Sequence, residues 1–246
     1  MKKNKLTTQV FWQNNYNDTQ FKRHPKGHNI DLFICKYIPE NKFGNVIEIG
    51  SYPGYHLATF GDLGYELNGI DFCPGNADGL PKWLKREGFK TCDFWVCDFF
   101  EFNCGRQFDI VCSFGFIEHF LNYEEVIAKH ADLVNKGGFL LITTPNFRGS
   151  VQHFLHRHFD KGNLALHNIE SMQPDKWAEQ LKQMGFEILY KGYFGKFWFW
   201  RGAEKLPFFK NKLLWVIQRI VPRIRKLIKS DTAALSAYCG LVARKL

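Results

Sequence analysis

Glu48, Gly50, Gly54 and Asp71 carry the chemistry that stands out first. An apolar run, Val46-Ile47-Glu48-Ile49, enters the loop Gly50-Ser51-Tyr52-Pro53-Gly54, and a second run, Leu67-Asn68-Gly69-Ile70, ends on Asp71. A strand, a tight glycine-bearing loop, a helix and a second strand closed by a carboxylate are the parts with which an α/β domain holds a nucleoside. Glycine at 50 and 54 is read as room for backbone to approach a ligand where a Cβ would collide. A carboxylate about 20 residues on suits the two hydroxyls of a ribose; the competing reading of Asp71 is a helix N-cap. A dinucleotide would want a second glycine where Tyr52 and Pro53 stand, to admit a pyrophosphate. The loop therefore points away from NAD and toward S-adenosylmethionine, a nucleoside without phosphate.

The elements that position these residues alternate regularly. Short apolar runs predict strands near 45–49, 66–70, 93–97, 109–113 and 138–143, with helices near 54–63, 78–88 and 123–135, the last closed by Gly137-Gly138. A helix at 174–184, a strand at 186–190 and a final strand at 235–243 follow. This order predicts an α/β, doubly wound, mostly parallel sheet with its ligands at the carboxyl ends of the strands. Residues 1–44 are expected to form an N-terminal helical cover over the edge of the first strand. The core is expected over 45–195 and 231–246, with a basic amphipathic insert at 196–230.

The 246 residues are 45% hydrophobic and 17% aromatic, with 25 Phe, enough for a sizeable core and unlike a disordered chain. The opening Met1-Lys2-Lys3-Asn4-Lys5 is basic, but Gln9, Gln13, Asn14 and Asn15 break the apolar stretch that a signal peptide would need. No uncharged apolar run reaches the length of a spanning helix. The seven cysteines, at 35, 73, 92, 97, 104, 112 and 239, contain no C-x-x-C pair and are expected as reduced core thiols of a cytoplasmic protein. The net charge of +9 is local: residues 196–229 hold ten Lys or Arg against Glu204 alone, and the rest balances at 23 bases and 23 acids. An anionic partner is expected at that stretch.

Five landmarks occur in order: the loop Glu48 to Gly54, Asp71, Asp98, the segment Phe108-Asp109-Ile110-Val111-Cys112-Ser113-Phe114-Gly115-Phe116-Ile117-Glu118-His119-Phe120, and Gly137-Gly138-Phe139-Leu140-Leu141-Ile142-Thr143-Thr144-Pro145-Asn146. With them, residues 28–191 resemble the class I S-adenosylmethionine-dependent methyltransferases. Within that class the chain looks like bacterial methyltransferases found with surface-glycan biosynthesis. The resemblance implies a Rossmann-like seven-stranded sheet whose last strand is antiparallel. It also implies that Gly50, Ser51 and Gly54 lie under the methionine part of the cofactor, with Glu48 orienting the loop or holding the ammonium. Tyr52 either lines the methyl-transfer channel or packs over the loop. Asp71, followed by Phe72, would take the ribose, and Asp98 the adenine amine, with Phe99 or Phe100 as an apolar wall; Phe114 borders the same pocket.

A sulfonium already makes its methyl electrophilic, so the protein must mainly align donor and acceptor and exclude water. A sugar or alcohol hydroxyl also needs its proton removed as it attacks, whereas a phosphate, carboxylate or thiolate does not. His119, at the rim past the fourth strand, is the first candidate base; the competing reading is a hydrogen-bonded residue that shapes the site. His167 is the second candidate. Glu118 either contacts the acceptor or caps the next helix. His153, His156 and His158 form an H-x-x-H-x-H pattern without a completing Cys or Asp pair, so no metal is expected. They are read instead as acceptor-pocket residues, together with Asn146, Arg148 and Arg157. Phe11, Trp12 and Tyr16 are expected to close as a lid.

On a helical projection, 212–229 places Leu213, Val216, Ile217, Ile220, Val221, Ile224, Leu227 and Ile228 opposite a largely basic face, with Phe197, Trp198, Phe199, Trp200, Phe208 and Phe209 upstream and a kink due at Pro222. Three partners stay open: an anionic membrane surface, the chain's own core or a second copy, and nucleic acid, the last without any recognisable RNA-binding module. The expectation is an enzyme that O-methylates a small-molecule or glycan acceptor, lipid-linked and met at the inner membrane face. An RNA methyltransferase and a cofactor-binding member without catalysis are the rivals.

Overall fold

The structure, a computed structural model, describes residues 4–16, 19–199, 201–202, 205–227 and 231–246, with side chains described except at 221, 222 and 224–227. Its sheet contains β1 (Asn45–Ile49), β2 (Glu66–Asp71), β3 (Thr91–Val96), β4 (Phe108–Phe114), β5 (Val134–Pro145), β6 (Phe186–Phe194) and β7 (Tyr238–Lys245), in the order β3-β2-β1-β4-β5-β7-β6. Neighbours from β3 to β5 pair in parallel, and β7 runs antiparallel to both β5 and β6. This is the expected α/β, Rossmann-like seven-stranded sheet with its last strand reversed. Chain order turns back between β1 and β4, and the crevice outside their carboxyl ends is where such sheets bind ligands.

Strand alternation sorts the core. Ile47 and Ile49 of β1 join Val126 and Ile127 of α5 (Tyr123–Asp132) and Trp177 and Leu181 of α8 (Pro174–Gln183) on one face. Val46 faces the other way, toward α2 (Asn29–Tyr37), α3 (Leu57–Asp62) and α4 (Gly75–Arg86), where Leu80, Trp83 and Leu84 recur at helical spacing. Glu48 shares that second face and is the one carboxylate in a strand otherwise buried as Val and Ile.

Several expectations change. Gly137-Gly138 does not close α5, which ends at Asp132; the pair lies inside β5, where the register with β4 slips between Phe108 and Ile110. A Cβ on Gly138 would stand 2.7 Å from the Asp109 carbonyl oxygen, so the glycines make a bulge, not a helix stop. Helix α4 begins at Gly75, which places Pro81 inside it and leaves the Ala77 carbonyl without its helical donor. The N-terminal segment does not cover an edge of β1, because β1 has a neighbour on both sides. Instead α1 (Gln9–Tyr16) lies across the crevice and α2 packs on the sheet face, Phe33 stacking on Phe194 at 4.3 Å. Cys35 and Cys92 are exposed, so not every thiol is in the core; all seven are free.

After β5 the chain forms α6 (Ser150–Phe159) and α7 (Lys161–Leu164), and the basic stretch forms α9 (Phe208–Leu227), which continues through position 222 as one helix. Leu214 of α9, with Ile217 beside it, packs on Leu155 and Phe159 of α6 and on Phe197 and Phe199. Phe197 and Phe199 are therefore interior residues and not interfacial ones. The apolar centre of α9 is Leu214, one residue along from the expected Leu213, which stays exposed with Phe208, Phe209, Trp215 and Ile220. Trp200 and the expected face positions beyond Ile220, apart from Arg223, lie outside the described side chains. Among the described residues, no helix is long and apolar enough to cross a membrane.

Candidate functional site

The loop after β1 is locked before any ligand enters. The amides of Gly50 and Ser51 both donate to the Ile70 carbonyl, at 2.9 and 3.1 Å, so the loop folds over the end of β2. Gly50 and Gly54 adopt φ of +72° and +78°. A Cβ there would meet Phe116 at 2.6 Å and Leu80 at 2.2 Å. These glycines line the crevice and are also required by a left-handed backbone and by neighbouring side chains. Ser51 is fully buried and its hydroxyl donates to Asn76 Oδ1 at 2.6 Å, so it braces the loop against α4. The Tyr52 ring packs edge-on against Tyr16 and Phe21 and also lines the crevice.

Asp71 holds the two ends of its turn. Oδ2 accepts from the Tyr52 amide at 3.2 Å and Oδ1 from the Cys73 amide at 2.8 Å. It does not cap α4, whose N-cap is Pro74. Burial raises its pKa, while the Cys73 and Tyr52 amides act to lower it. Glu48 is buried with Oε2 unpartnered, and burial, then the charges of Asp71 and Asp31, push its pKa well up.

These groups line a cavity of about 240 Å³. Phe72, Phe99 and Phe114 belong to its wall, as expected, whereas Phe100 packs on Phe120 outside it. The carbonyl of Phe72 accepts from Gln9 Nε2 at 2.8 Å, tying α1 to the rim. Asp98 also faces this cavity, but its carboxylate is ion-paired with Lys5, a partner with no signal in the sequence. Lys5 is delivered by the N-terminal segment, which bonds along the chain at 119–121: Leu6 N to His119 O at 2.9 Å and Leu121 N to Asn4 O at 2.8 Å.

A second cavity, about 330 Å³, adjoins the first and shares Trp12, Phe114, Gly115 and His119 with it. The lid residues divide between them: Trp12 and Tyr16 line the first, Phe11 and Trp12 the second. Glu118, His119 and His167 meet here, each offering a ligand atom within 4.8 Å of the others. His119 Nδ1 lies 2.8 Å from the Leu166 carbonyl and His167 Nδ1 lies 2.7 Å from the Asn163 carbonyl. A carbonyl only accepts, so both rings carry their proton on Nδ1 and present an Nε2 lone pair. Burial lowers His119 to about 3 and His167 to about 4. Glu118 is pushed up to about 8 by burial, and its Oε2 has no partner. It caps no helix, since α5 begins after Asn122. His119 and His167 are the bases expected from the sequence; the raised pKa of the carboxyl beside them is set by burial, which the sequence does not show.

The other expected acceptor residues are elsewhere. Asn146 is buried and donates to the Ala233 and Ser236 carbonyls at 2.7 and 3.0 Å. His156 is buried against Asp160 at 2.9 Å, and His158 packs on Phe154. Neither Arg148, His153 nor Arg157 lines either cavity; Asn163, Leu166 and Arg201 do.

With that geometry in place, comparison is informative. A family model described as a methyltransferase domain matches residues 23–191. No curated protein sequence matches. Among solved structures, a protein assigned as a methyltransferase from Bacillus halodurans superposes with a TM-score of 0.61 at 14% identity, covering 87% of this chain and 98% of its own. The geranyl diphosphate C-methyltransferase of Streptomyces coelicolor, solved with Mg²⁺, geranyl diphosphate and S-adenosyl-L-homocysteine, gives 0.56 at 10% identity over 88% and 78%. A SAM-dependent methyltransferase from Archaeoglobus fulgidus gives 0.54 at 19% identity over 88% and 93%. At these identities the structures share the fold.

Proposed function

Because the chain belongs to the methyltransferase domain family, with S-adenosylmethionine as its cofactor, we propose that it methylates a hydroxyl oxygen of a small or glycan-type acceptor held in the second cavity. The observation that carries this reading is Glu118: a buried carboxyl with a free oxygen, titrating near 8, beside the wall that both cavities share. A neutral hydroxyl needs its proton removed as it attacks, which a phosphate, carboxylate or thiolate does not.

The first cavity fits the cofactor. The unpartnered Glu48 oxygen suits its ammonium, the Asp71 carboxylate its ribose diol, and Asp98 with Phe99 its adenine. When bound, the cofactor supplies a methyl group made electrophilic by its sulfonium. The protein's own work is then placement and proton handling. Trp12 and Tyr16 close the first cavity from above and keep water out. Glu118, ionised, takes the acceptor proton, while the Nε2 atoms of His119 and His167 accept hydrogen bonds from neighbouring hydroxyls and hold the acceptor in line.

A lipid-linked acceptor is favoured by one further observation. Trp198, Phe208, Phe209, Leu213 and Trp215 are exposed in a stretch whose described bases include Lys205, Lys210, Lys212, Arg219 and Arg223. Exposed aromatics interleaved with cations suit an anionic bilayer surface. The test is to incubate the protein and donor with soluble sugars and with lipid-linked glycans in phosphatidylglycerol vesicles, and to map the methyl by mass spectrometry. Methyl on oxygen, with a preference for the vesicle-borne acceptor, is expected. Methyl on nitrogen or carbon would refute the first reading, and failure to sediment with the vesicles the second.

A further inference from the structure

On the outer flank of the Gly50–Gly54 loop, four side chains converge that no sequence motif links. His24 lies in the stretch before α2, His28 is the N-cap residue of α2, Asp31 lies in its first turn, and His56 immediately precedes α3. One ligand atom from each falls within 4.8 Å of all the others. His56 Nδ1 is 2.9 Å from Asp31 Oδ1, His24 Nδ1 is 3.1 Å from Asp31 Oδ2, and His28 Nδ1 is 3.8 Å from Asp31 Oδ1.

A hydrogen-bonded network explains only part of this. One carboxylate serves His24 and His56, and the third imidazole is left out: His28 Nδ1 is buried with no hydrogen-bond partner. Its ring is stacked on His24 at 3.9 Å and 15°, and its nearest acceptor, Asp31 Oδ1 at 3.8 Å, lies beyond hydrogen-bond reach. A divalent cation would give that atom its partner. Metal–ligand bonds of about 2.0–2.1 Å in a tetrahedral site put ligand atoms roughly 3.3 Å apart. The three contacts with Asp31 bracket that value.

We propose that His24, His28, Asp31 and His56 form a binding site for one divalent transition-metal ion of the zinc class. Three imidazole nitrogens and one carboxylate suit zinc, cobalt or nickel better than magnesium or calcium, which prefer all-oxygen shells. Four protein ligands close the shell, so the ion is structural and carries no substrate. The ion ties the start of α2 to the residue that opens α3. His56 itself lines the first cavity and packs on Phe114 at 4.6 Å, so the clasp holds part of that cavity's wall.

The test uses full-length protein stripped with a chelator and titrated with zinc against a competing indicator, and with cobalt(II) followed by visible absorption. One equivalent should bind, with the intense cobalt spectrum of a four-coordinate site. His28→Gln removes the ligand that has no hydrogen bond to lose, so the apo fold should persist by circular dichroism while zinc affinity falls at least about 100-fold, more than the loss typical of a supporting outer-shell group. Glu118→Gln should bind as the wild type does. Binding far below one equivalent, wild-type affinity in His28→Gln, or loss of the ion in Glu118→Gln instead, would each overturn the assignment.

Discussion

His119 and His167 face one another with ring centroids 4.7 Å apart, and each spends Nδ1 on a backbone carbonyl. Two imidazoles so placed cannot both be charged at low cost. Burial is the first cause that holds each neutral, and at His119 the neighbouring His167 adds to it. Their folded pKa values, about 3 and about 4, lie below the unfolded value near 6.5. The unfolded chain therefore binds protons that the folded one refuses, and stability must fall as pH drops below 6.5. At pH 5 the loss is about 2 kcal/mol for each ring if they titrate independently. Denaturant melts at pH 7 and 5 should show it, and His119→Gln, which takes no proton, should lose less.

Glu118 has the opposite sign. Its folded pKa of about 8 lies above the ordinary carboxyl value, so the ionised base accumulates only as pH rises toward 8 and beyond. Turnover should climb through that range and level off. Glu118→Gln should lower turnover by about 10²–10⁴-fold, the usual contribution of a positioned base, and flatten the pH profile, with cofactor affinity little changed. A rise with pH that survives in the variant would assign the proton to another group.

Lys5 stands on the carboxylate proposed to receive the adenine amine. The two side chains are 27% and 33% exposed, so the pair itself contributes no more than about 1 kcal/mol. Lys5→Met should tighten S-adenosylhomocysteine binding by up to about fivefold and weaken its salt dependence, while Asp98→Asn should loosen it. Calorimetry at two ionic strengths separates these outcomes from a purely structural role of the N-terminal segment.

The readable parts of the molecule were those where local chemistry and fold agree. Strand β1, its glycine loop and Asp71 announce themselves because left-handed glycines and a strand-end carboxylate sit at fixed offsets. Gly137-Gly138 misled because a glycine pair after a helix and a glycine bulge inside a strand look alike without the Asp109 carbonyl that decides between them. The acidity of Glu118 is set by burial and Lys5 meets its partner 93 residues along the chain, so neither shows in the sequence. The His24–His56 cluster was invisible for the same reason, whereas the conspicuous H-x-x-H-x-H run dispersed around α6.

The most direct measurement is calorimetric titration of the protein with S-adenosylhomocysteine, wild type against Asp71→Asn. Asparagine keeps an acceptor for the turn but cannot take both ribose hydroxyls, so one-to-one binding in the wild type should weaken by about 30–100-fold, as expected for lost hydrogen bonds to a charged group. Equal affinity in the two proteins, or no binding to the wild type, would show that the crevice beside β1 and β2 is not where the cofactor is held.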